Sequence, residues 1–419
     1  MKSCNISGAD YFFLVLNRHL KNQNQYGYAC RFVMQLDRHL SDEVFIQRLE
    51  ASPYIQLLER TRLVIPAIGI PRWEIDEKVY PSPLVIHAAP DDAIPKKILD
   101  PKIELTDRCL YQFDIVHHPH HSTLIFSWHH ILMDGFGANR LLYSLHKPDT
   151  ANGSDFLVKE PQESLKKQWQ KLVKAKDFLK DVSQEPLLKI RSQGTSDNCH
   201  FQILTFDEDD TRSLKKEAQK YTHGLSETPF YLARIAEAYH AMLVRRGDTF
   251  KDMWVPVPTE MRKAGSSGPV VSNRHSLIFF RVKEKLMSDT EALIIDLHQQ
   301  FMEQVKNGMP KNYASMIGSL RLMPTPFYYK LIKGPNGESL AGMLFSQSPA
   351  PDNLMEFLGC KLANATALPP NTTPPGISFQ LMKFGASLQL VVQYSERCFS
   401  RSDISFLMSE LKKVFLKTE

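Results

Sequence analysis

Apolar residues alternate, or run unbroken between turn formers, over residues 28–36, 109–116, 123–128, 200–206, 252–257, 276–282 and 387–394, and these segments are expected to be strands. Spacings of three and four predict helices over 42–51, 137–145, 164–179, 209–221, 228–245, 290–305 and 401–415. The two patterns interleave, so the expected class is mixed α/β. Turn-rich stretches at 146–155 (HKPDTANGSD) and 191–198 (RSQGTSDN) mark a connector. They predict an N-terminal lobe over 1–195 and a C-terminal lobe over 196–419. Two further stretches, PTPFYYKLIKG at 324–334 and ALPPNTTPPG at 367–376, read as a packed loop and a surface loop. The first limits any membrane contact to a peripheral one.

Composition narrows the class without changing that picture. The 419 residues, 43% hydrophobic and 23% charged, are enough for two or three domains with conventional cores. No apolar run approaches the roughly 18 residues of a spanning helix, and the N-terminal YFFLVL is too short for a signal-peptide core, so a soluble cytoplasmic protein is expected. The net charge of +5, from 51 basic and 46 acidic residues dispersed along the chain, argues against nucleic acid. It leaves room for an anionic small molecule or an acidic carrier protein. The six cysteines, Cys4, Cys30, Cys109, Cys199, Cys360 and Cys398, form no CxxC pair and read as scattered reduced core thiols.

The chemistry concentrates in CLYQFDIVHHPHHSTLIFSWHHILMDGFGANRLL. Two apolar strands flank HHPHH, whose Pro119 suits a turn, and the second strand runs into His129, His130, Asp134 and Gly135 just before a helix. Neighbouring residues of an extended segment point to opposite sides, so only one of the paired histidines faces a given cleft. An imidazole there can take a proton from an alcohol, amine or thiol near neutral pH and return it to a leaving group. Asp134 suits an ion pair with an arginine or bonds to backbone donors, and Gly135 a tight reversal into the helix.

Other signals carry less. His117, His118, His120 and His121 are expected at a solvent-exposed turn without carboxylate or Cys partners, so no metal site is assigned. GFGANR imitates the start of a dinucleotide fingerprint, but Arg140 replaces its third glycine and no second strand ending in an acidic residue follows. GxxxxGK[ST], HExxH and GxSxG do not occur.

The HHxxxDG pattern in its hairpin-to-helix setting resembles the superfamily that includes chloramphenicol acetyltransferase, the condensation domains of nonribosomal peptide synthetases, and the wax ester synthase and diacylglycerol acyltransferase enzymes. YACRFVMQLDRHLSDEVFIQRLEAS is similar to the family's opening strand and helix, MWVPVPTEMR to its "VPV…R" segment, PVVSNRHSLIFF to its Asn-containing floor, and LQLVVQYSERCFSRSDISFLMSEL to its closing strand and helix. The DFGWG of the plant branch is absent. Thr228 and Pro229 stand where wax ester synthases carry Asn-Asp, Ser272 and Asn273 stand where relatives carry Gly-Asn, and "NVPGP" has only FSQSPAP at 345–351 as a counterpart.

The resemblance implies two chloramphenicol acetyltransferase-like α/β lobes forming a V-shaped pseudodimer with a central tunnel. It implies direct acyl transfer from a CoA or carrier-protein thioester to a hydroxyl or amine. Condensation on carrier-bound substrates, or a catalytically silent scaffold for an acyl thioester or a carrier protein, are the alternatives. On the same basis His130 is the general base, His129 an orienting residue, Asp134 a structural acid paired with Arg262, and Gly135 a turn residue that keeps the tunnel open. Ser272, Asn273 and Ser276 fall in the floor segment that supplies oxyanion donors. No cofactor is implied beyond the acyl-CoA or acyl carrier protein co-substrate. Phe279, Phe280, Phe327, Tyr328, Phe345, Met355 and Phe357 would make the tunnel, and hence the substrates, partly apolar.

Overall fold

In the computed structural model of the protein the described residues are 3–22, 28–99, 102–148, 153–157, 164–182, 188, 190, 194, 198–248, 252–262, 268–332, 341–348, 354–370 and 375–416. The lobe boundary expected near residue 195 lies outside them, as do most of 191–198 and parts of 146–155, 324–334, 345–351 and 367–376.

The first half of the chain opens with β1 (Ser3–Asn5), α1 (Gly8–Asn22), β2 (Ala29–Leu36), α2 (Asp42–Ala51) and α3 (Pro53–Leu58). Next come β3 (Thr61–Val64), β4 (Arg72–Ile75), β5 (Leu84–Ala88), α4 (Lys96–Leu99), the hairpin β6 (Tyr111–His117) and β7 (Ser122–His129), and α5 (Gly135–His146). A 3₁₀ turn and α6 (Leu165–Val182) lead into the second half. There β8 (Cys199–Phe206), α7 (Glu208–Thr222), α8 (Thr228–Arg245), β9 (Met253–Glu260), β10 (His275–Val282), α9 (Thr290–Lys306), α10 (Met309–Leu320) and α11 (Thr325–Ile332) follow in order. The chain closes with β11 (Leu344–Ser348), β12 (Glu356–Phe357), β13 (Cys360–Leu368), the hairpin β14 (Ile377–Phe384) and β15 (Ser387–Ser395), and α12 (Arg401–Leu416). Every predicted strand and helix corresponds to one of these elements. The stretch expected as a packed loop at 324–334 is instead α11, begun by Thr325-Pro326, where a proline lacking its N–H is tolerated in the first turn.

Capping explains why several helices begin where they do. Ser41, Asp207 and Asp289 each turn a side-chain oxygen onto an otherwise unpaired N–H of the first turn of α2, α7 and α9. Acidic residues also crowd the start of α7, favouring its positive end.

Two sheets organise the molecule. The larger has strand order β12-β13-β2-β7-β6-β5, with β2 and β7 at its centre and β7 buried along its whole length. The other has order β11-β14-β15-β8, with the β9-β10 ribbon beside it through a bridge between Trp254 and Ala341. The connectivity β6-β7-α5 of the first half reappears as β14-β15-α12 in the second, the hairpin-to-helix unit once in each lobe. The division is not sequential. β13, from the second half, pairs antiparallel with β2, and Leu354, Phe357, Cys360 and Leu362 pack in the first core alongside Phe32, Phe45 and Phe113.

Each lobe has its own apolar core, one around Phe45, Phe113, Phe126 and Trp128, the other around Phe206, Tyr239, Phe379 and Leu407. A smaller cluster of Ala175, Trp254, Phe279, Tyr313, Met316 and Ile317 ties α6, α10 and the β9-β10 ribbon together. Complete burial of such side chains contributes about 1.5–3 kcal/mol each. No helix among the described residues is long and apolar enough to cross a membrane. None of the six cysteines is joined in a disulfide among the described residues, but the reading of all as core thiols holds for only four: Cys199 is exposed and Cys109 half-buried.

Candidate active site

β7 is a central strand, and its rigid end carries the two histidines out of the sheet. His129, the last residue of β7, is fully buried; its Nε2 lies 3.0 Å from Asn17 Oδ1 of α1, and its Nδ1 accepts from the Ile131 N–H at 3.1 Å. Burial, reinforced by His130, pushes its pKa down to about 3, so it is a neutral strut that ties α1 to the turn. His130 faces the other way. Its backbone N–H donates to the Tyr28 carbonyl at 2.8 Å, and its ring stacks on Phe13 at 3.9 Å between centroids, facing the cavity between the lobes.

The tautomer of His130 follows from its neighbours. Its Nδ1 lies 3.1 Å from Asn273 Oδ1, while Asn273 Nδ2 donates to Asp10 Oδ1 and to the His130 carbonyl, both at 2.8 Å. Those two partners only accept, so the amide oxygen must face the ring and Nδ1 must carry the hydrogen. Nε2 is then the unprotonated nitrogen, and it has no hydrogen-bond partner among the described residues. Burial lowers the pKa of this ring, against weaker upward pulls that include Asp134 and the Asn273 contact, so the neutral form is favoured.

Asp10, the hub of this arrangement, carried no sequence signal. Its carboxylate accepts from the Asn273 N–H at 2.7 Å, the Ser272 hydroxyl at 2.7 Å, the Ser7 N–H at 2.9 Å and the Trp73 indole at 3.4 Å. An acidic residue in the first turn of an apolar helix reads from sequence as a surface or capping group. Only the arrival of β4 and residues 272–273 on that turn makes it a buried junction.

Asp134 caps α5, accepting from the Gly137 N–H at 2.9 Å, and forms a bidentate bridge with Arg262, both N–O distances being 3.0 Å. The Arg274 N–H, at 2.9 Å, completes the set. Burial alone would raise this carboxyl, but the Arg262 guanidinium and these donors hold it below the usual carboxylate range. With both oxygens engaged, Asp134 organises the turn. Gly135 is the first residue of α5 and lines the cavity, without the left-handed backbone expected of a reversal. The glycine that geometry demands is Gly137, where an added Cβ would lie 2.3 Å from the Val270 carbonyl oxygen. The left-handed backbone belongs to Ser272, at φ 87°, a conformation that favours glycine.

The cavity encloses about 1040 Å³ and draws its walls from both lobes. Phe279, Phe280, Tyr328 and Phe345 line it as expected; Phe357 is instead buried in the first core, while Phe327 and Met355 are exposed. Ser272, Asn273 and Ser276 do not line it, and their polar atoms are taken: the Ser272 hydroxyl by Asp10, the Asn273 amide by Asp10 and His130, the Ser276 hydroxyl by the Pro310 carbonyl at 2.6 Å. The floor segment supports His130 from behind and leaves none of these three side chains free to meet an oxyanion. Two residues that sequence reasoning missed do face the cavity, His275 at the start of β10 and Cys30 on β2. Burial keeps the Cys30 thiol protonated.

The HHPHH turn is less exposed than expected, and two of its histidines face carboxylates. His118 is buried, bonded to the Asp91 carbonyl at 2.7 Å and Thr123 Oγ1 at 3.0 Å; His117 reaches Asp42 at 3.0 Å and His121 faces Asp92 at 3.7 Å. Asp92, His118 and His121 bring potential ligand atoms within 4.8 Å of one another. Both nitrogens of His118 are already engaged within the protein.

The whole chain superposes on solved structures. TRI3 trichothecene 15-O-acetyltransferase from Fusarium sporotrichioides is similar with a TM-score of 0.70 and 11% identity, over 99% of this chain and 94% of that one. The starter condensation domain of rhizomide synthetase RzmA, a variant solved with C8-CoA and Leu-SNAC, gives 0.68 and 13% over 99% and 94%. The wax ester synthase/diacylglycerol acyltransferase from Marinobacter aquaeolei VT8 gives 0.59 and 15% over 99% of each chain. At these identities the likeness is one of fold. No protein-family model and no curated protein matches the sequence.

Proposed function

From a chain that carries the fold of the chloramphenicol acetyltransferase-like condensation and acyltransferase superfamily, two such lobes about a central cavity, we propose a thioester-dependent acyltransferase with His130 as general base. The observation that carries this reading is a neutral imidazole at the cavity wall whose Nδ1–H is held by Asn273, leaving Nε2 to accept a proton. The acceptor's hydroxyl or amine attacks the thioester carbonyl carbon while Nε2 takes its proton. The tetrahedral adduct then collapses, the C–S bond breaks, and the imidazolium returns the proton to the leaving thiolate. The donor is acyl-CoA or an acyl carrier protein.

Direct transfer is favoured over an acyl-enzyme. The cavity thiol, Cys30, is held protonated by burial and is a poor nucleophile in that form. Asp134 takes no part in proton transfer, because Arg262, Gly137 and Arg274 occupy its carboxylate. Aromatic walls suit an acyl chain or acceptor with an apolar portion.

The test is free-thiol release over a panel of acyl-CoAs and acyl carriers with mixed alcohols and amines, products being identified by mass spectrometry. His130→Ala should lower turnover by about 10² to 10⁴ with the fold intact. Wild-type turnover in a folded His130→Ala protein would remove the histidine from the mechanism, and no thiol release from any pair would sink the acyltransferase reading itself.

A further inference from the structure

A negatively charged oxygen forms on the thioester carbonyl as the acceptor adds, and a site that accelerates the reaction meets it with a placed hydrogen-bond donor. Ser272, Asn273 and Ser276 cannot serve, since their donors are committed behind the cavity wall. Resting on the acyl-transfer reading above, we propose that His275 is a catalytic residue of the same reaction, donating a ring N–H to that oxyanion.

His275 lines the cavity, its ring centroid 6.4 Å from that of His130 and 5.3 Å from that of Phe13, which stacks on His130. One tetrahedral carbon spans such a gap in a bent arrangement, with the attacking oxygen about 3 Å from His130 and the oxyanion about 3 Å from His275. Neither ring nitrogen of His275 has a hydrogen-bond partner among the described residues, in contrast to His129, which is bonded at both nitrogens. Its cross-strand neighbour Glu260 is engaged by Arg262 at 2.8 Å and does not compete for the ring. Burial, with a smaller push from His130, brings the His275 pKa down to about 4. The ring is therefore a neutral donor throughout the neutral range, and it does not compete with His130 for the acceptor proton.

Two substitutions separate donation from packing. His275→Phe keeps a ring and removes the N–H, whereas His275→Gln keeps an N–H donor on a smaller side chain. The expected result is a fall in kcat of about 10² to 10³ for His275→Phe with KM changed by less than about threefold, and recovery to within about tenfold of wild type for His275→Gln. A structural role would instead move both variants together, or move KM and the melting temperature. The idea is overturned if His275→Phe retains kcat within about threefold, or if Gln is no better than Phe. Tyr28, whose ring lies 5.8 Å from that of His130 in the same cavity, is the rival donor. Loss of kcat in Tyr28→Phe but not in His275→Phe would transfer the role. A wild-type protein without acyl transfer fails the parent reading, an outcome distinct from active protein indifferent to His275.

Discussion

As the proposed general base, His130 could accept a proton only while its ring is neutral, and burial lowers its pKa below the free-imidazole value of about 6.5. The protonated form is the inactive one. As pH falls, activity should therefore stay level through neutrality and decline only below about pH 6.5, which a profile of kcat/KM against pH will check. An acid limb centred above pH 7 would contradict the placement of this ring. At the same scale Ser272 shows how a strained backbone is held: its φ of 87° suits glycine, and its hydroxyl bond to Asp10 at 2.7 Å, with its N–H to the Leu132 carbonyl at 2.7 Å, pins it there.

At the scale of elements, the turn between β7 and α5 is clamped from the second half of the chain. Residues 268–274 lie against α5 so closely that Gly137→Ala would drive a Cβ to 2.3 Å from the Val270 carbonyl oxygen. The segment and the helix must separate to admit it, and a loss of about 1–3 kcal/mol in denaturant unfolding, accompanied by reduced turnover, is expected. The Asp134–Arg262 bridge holds the same junction, with both side chains almost fully buried. Asp134→Asn and Arg262→Met should each cost about 3–5 kcal/mol, because each leaves the other partner's buried polar groups short of a bond. The double variant should lose less than the sum by about 0.5–3 kcal/mol. Strict additivity in the cycle would mean that the two side chains do not interact. Arg281, the arginine of β10, is bound to Asp252 at 2.7 Å and is no substitute.

Across the whole molecule, the cavity exists because two cores are held apart yet stitched together. β13 lends a strand from the second half to the first sheet, and the Trp254–Tyr313 cluster ties α6 and α10 to the ribbon that bears His275. Its aromatic walls predict a dependence on chain length. Each methylene buried contributes about 0.8 kcal/mol, so lengthening a saturated acyl donor by four carbons should raise apparent specificity by up to about a hundredfold until the space is filled. A series from acetyl to palmitoyl donors with one acceptor, then acceptors of growing length with one donor, measures it. Preference for acetyl-CoA with a small polar acceptor would show that the walls serve packing alone, leaving His130 untouched.

Seven of the strands and seven of the helices, among them the hairpin ahead of the paired histidines and the helix after them, are readable in the chain, because period and capping are local properties; α1, α10, β13 and β14 were not anticipated. α2 and α8 begin and end at the residues the spacing predicts, 42–51 and 228–245. The paired histidines, Asp134 and Arg262 were also legible, the first three because they fall within six residues of one another and the arginine through its resemblance to a known segment. Other features required the folded chain. β13 is a weakly patterned strand, CKLANATAL, and nothing local says that its partner is β2 some 330 residues earlier. Asp10 becomes a junction only when β4 and residues 272–273 converge on the first turn of α1. His275 opens a strand that looks like any other half-buried one, and faces His130 only because the two lobes meet there. Periodicity records which side of an element is covered; which distant side chain covers it, and whether a polar atom is left free to act, is decided by packing between elements that the chain itself keeps far apart.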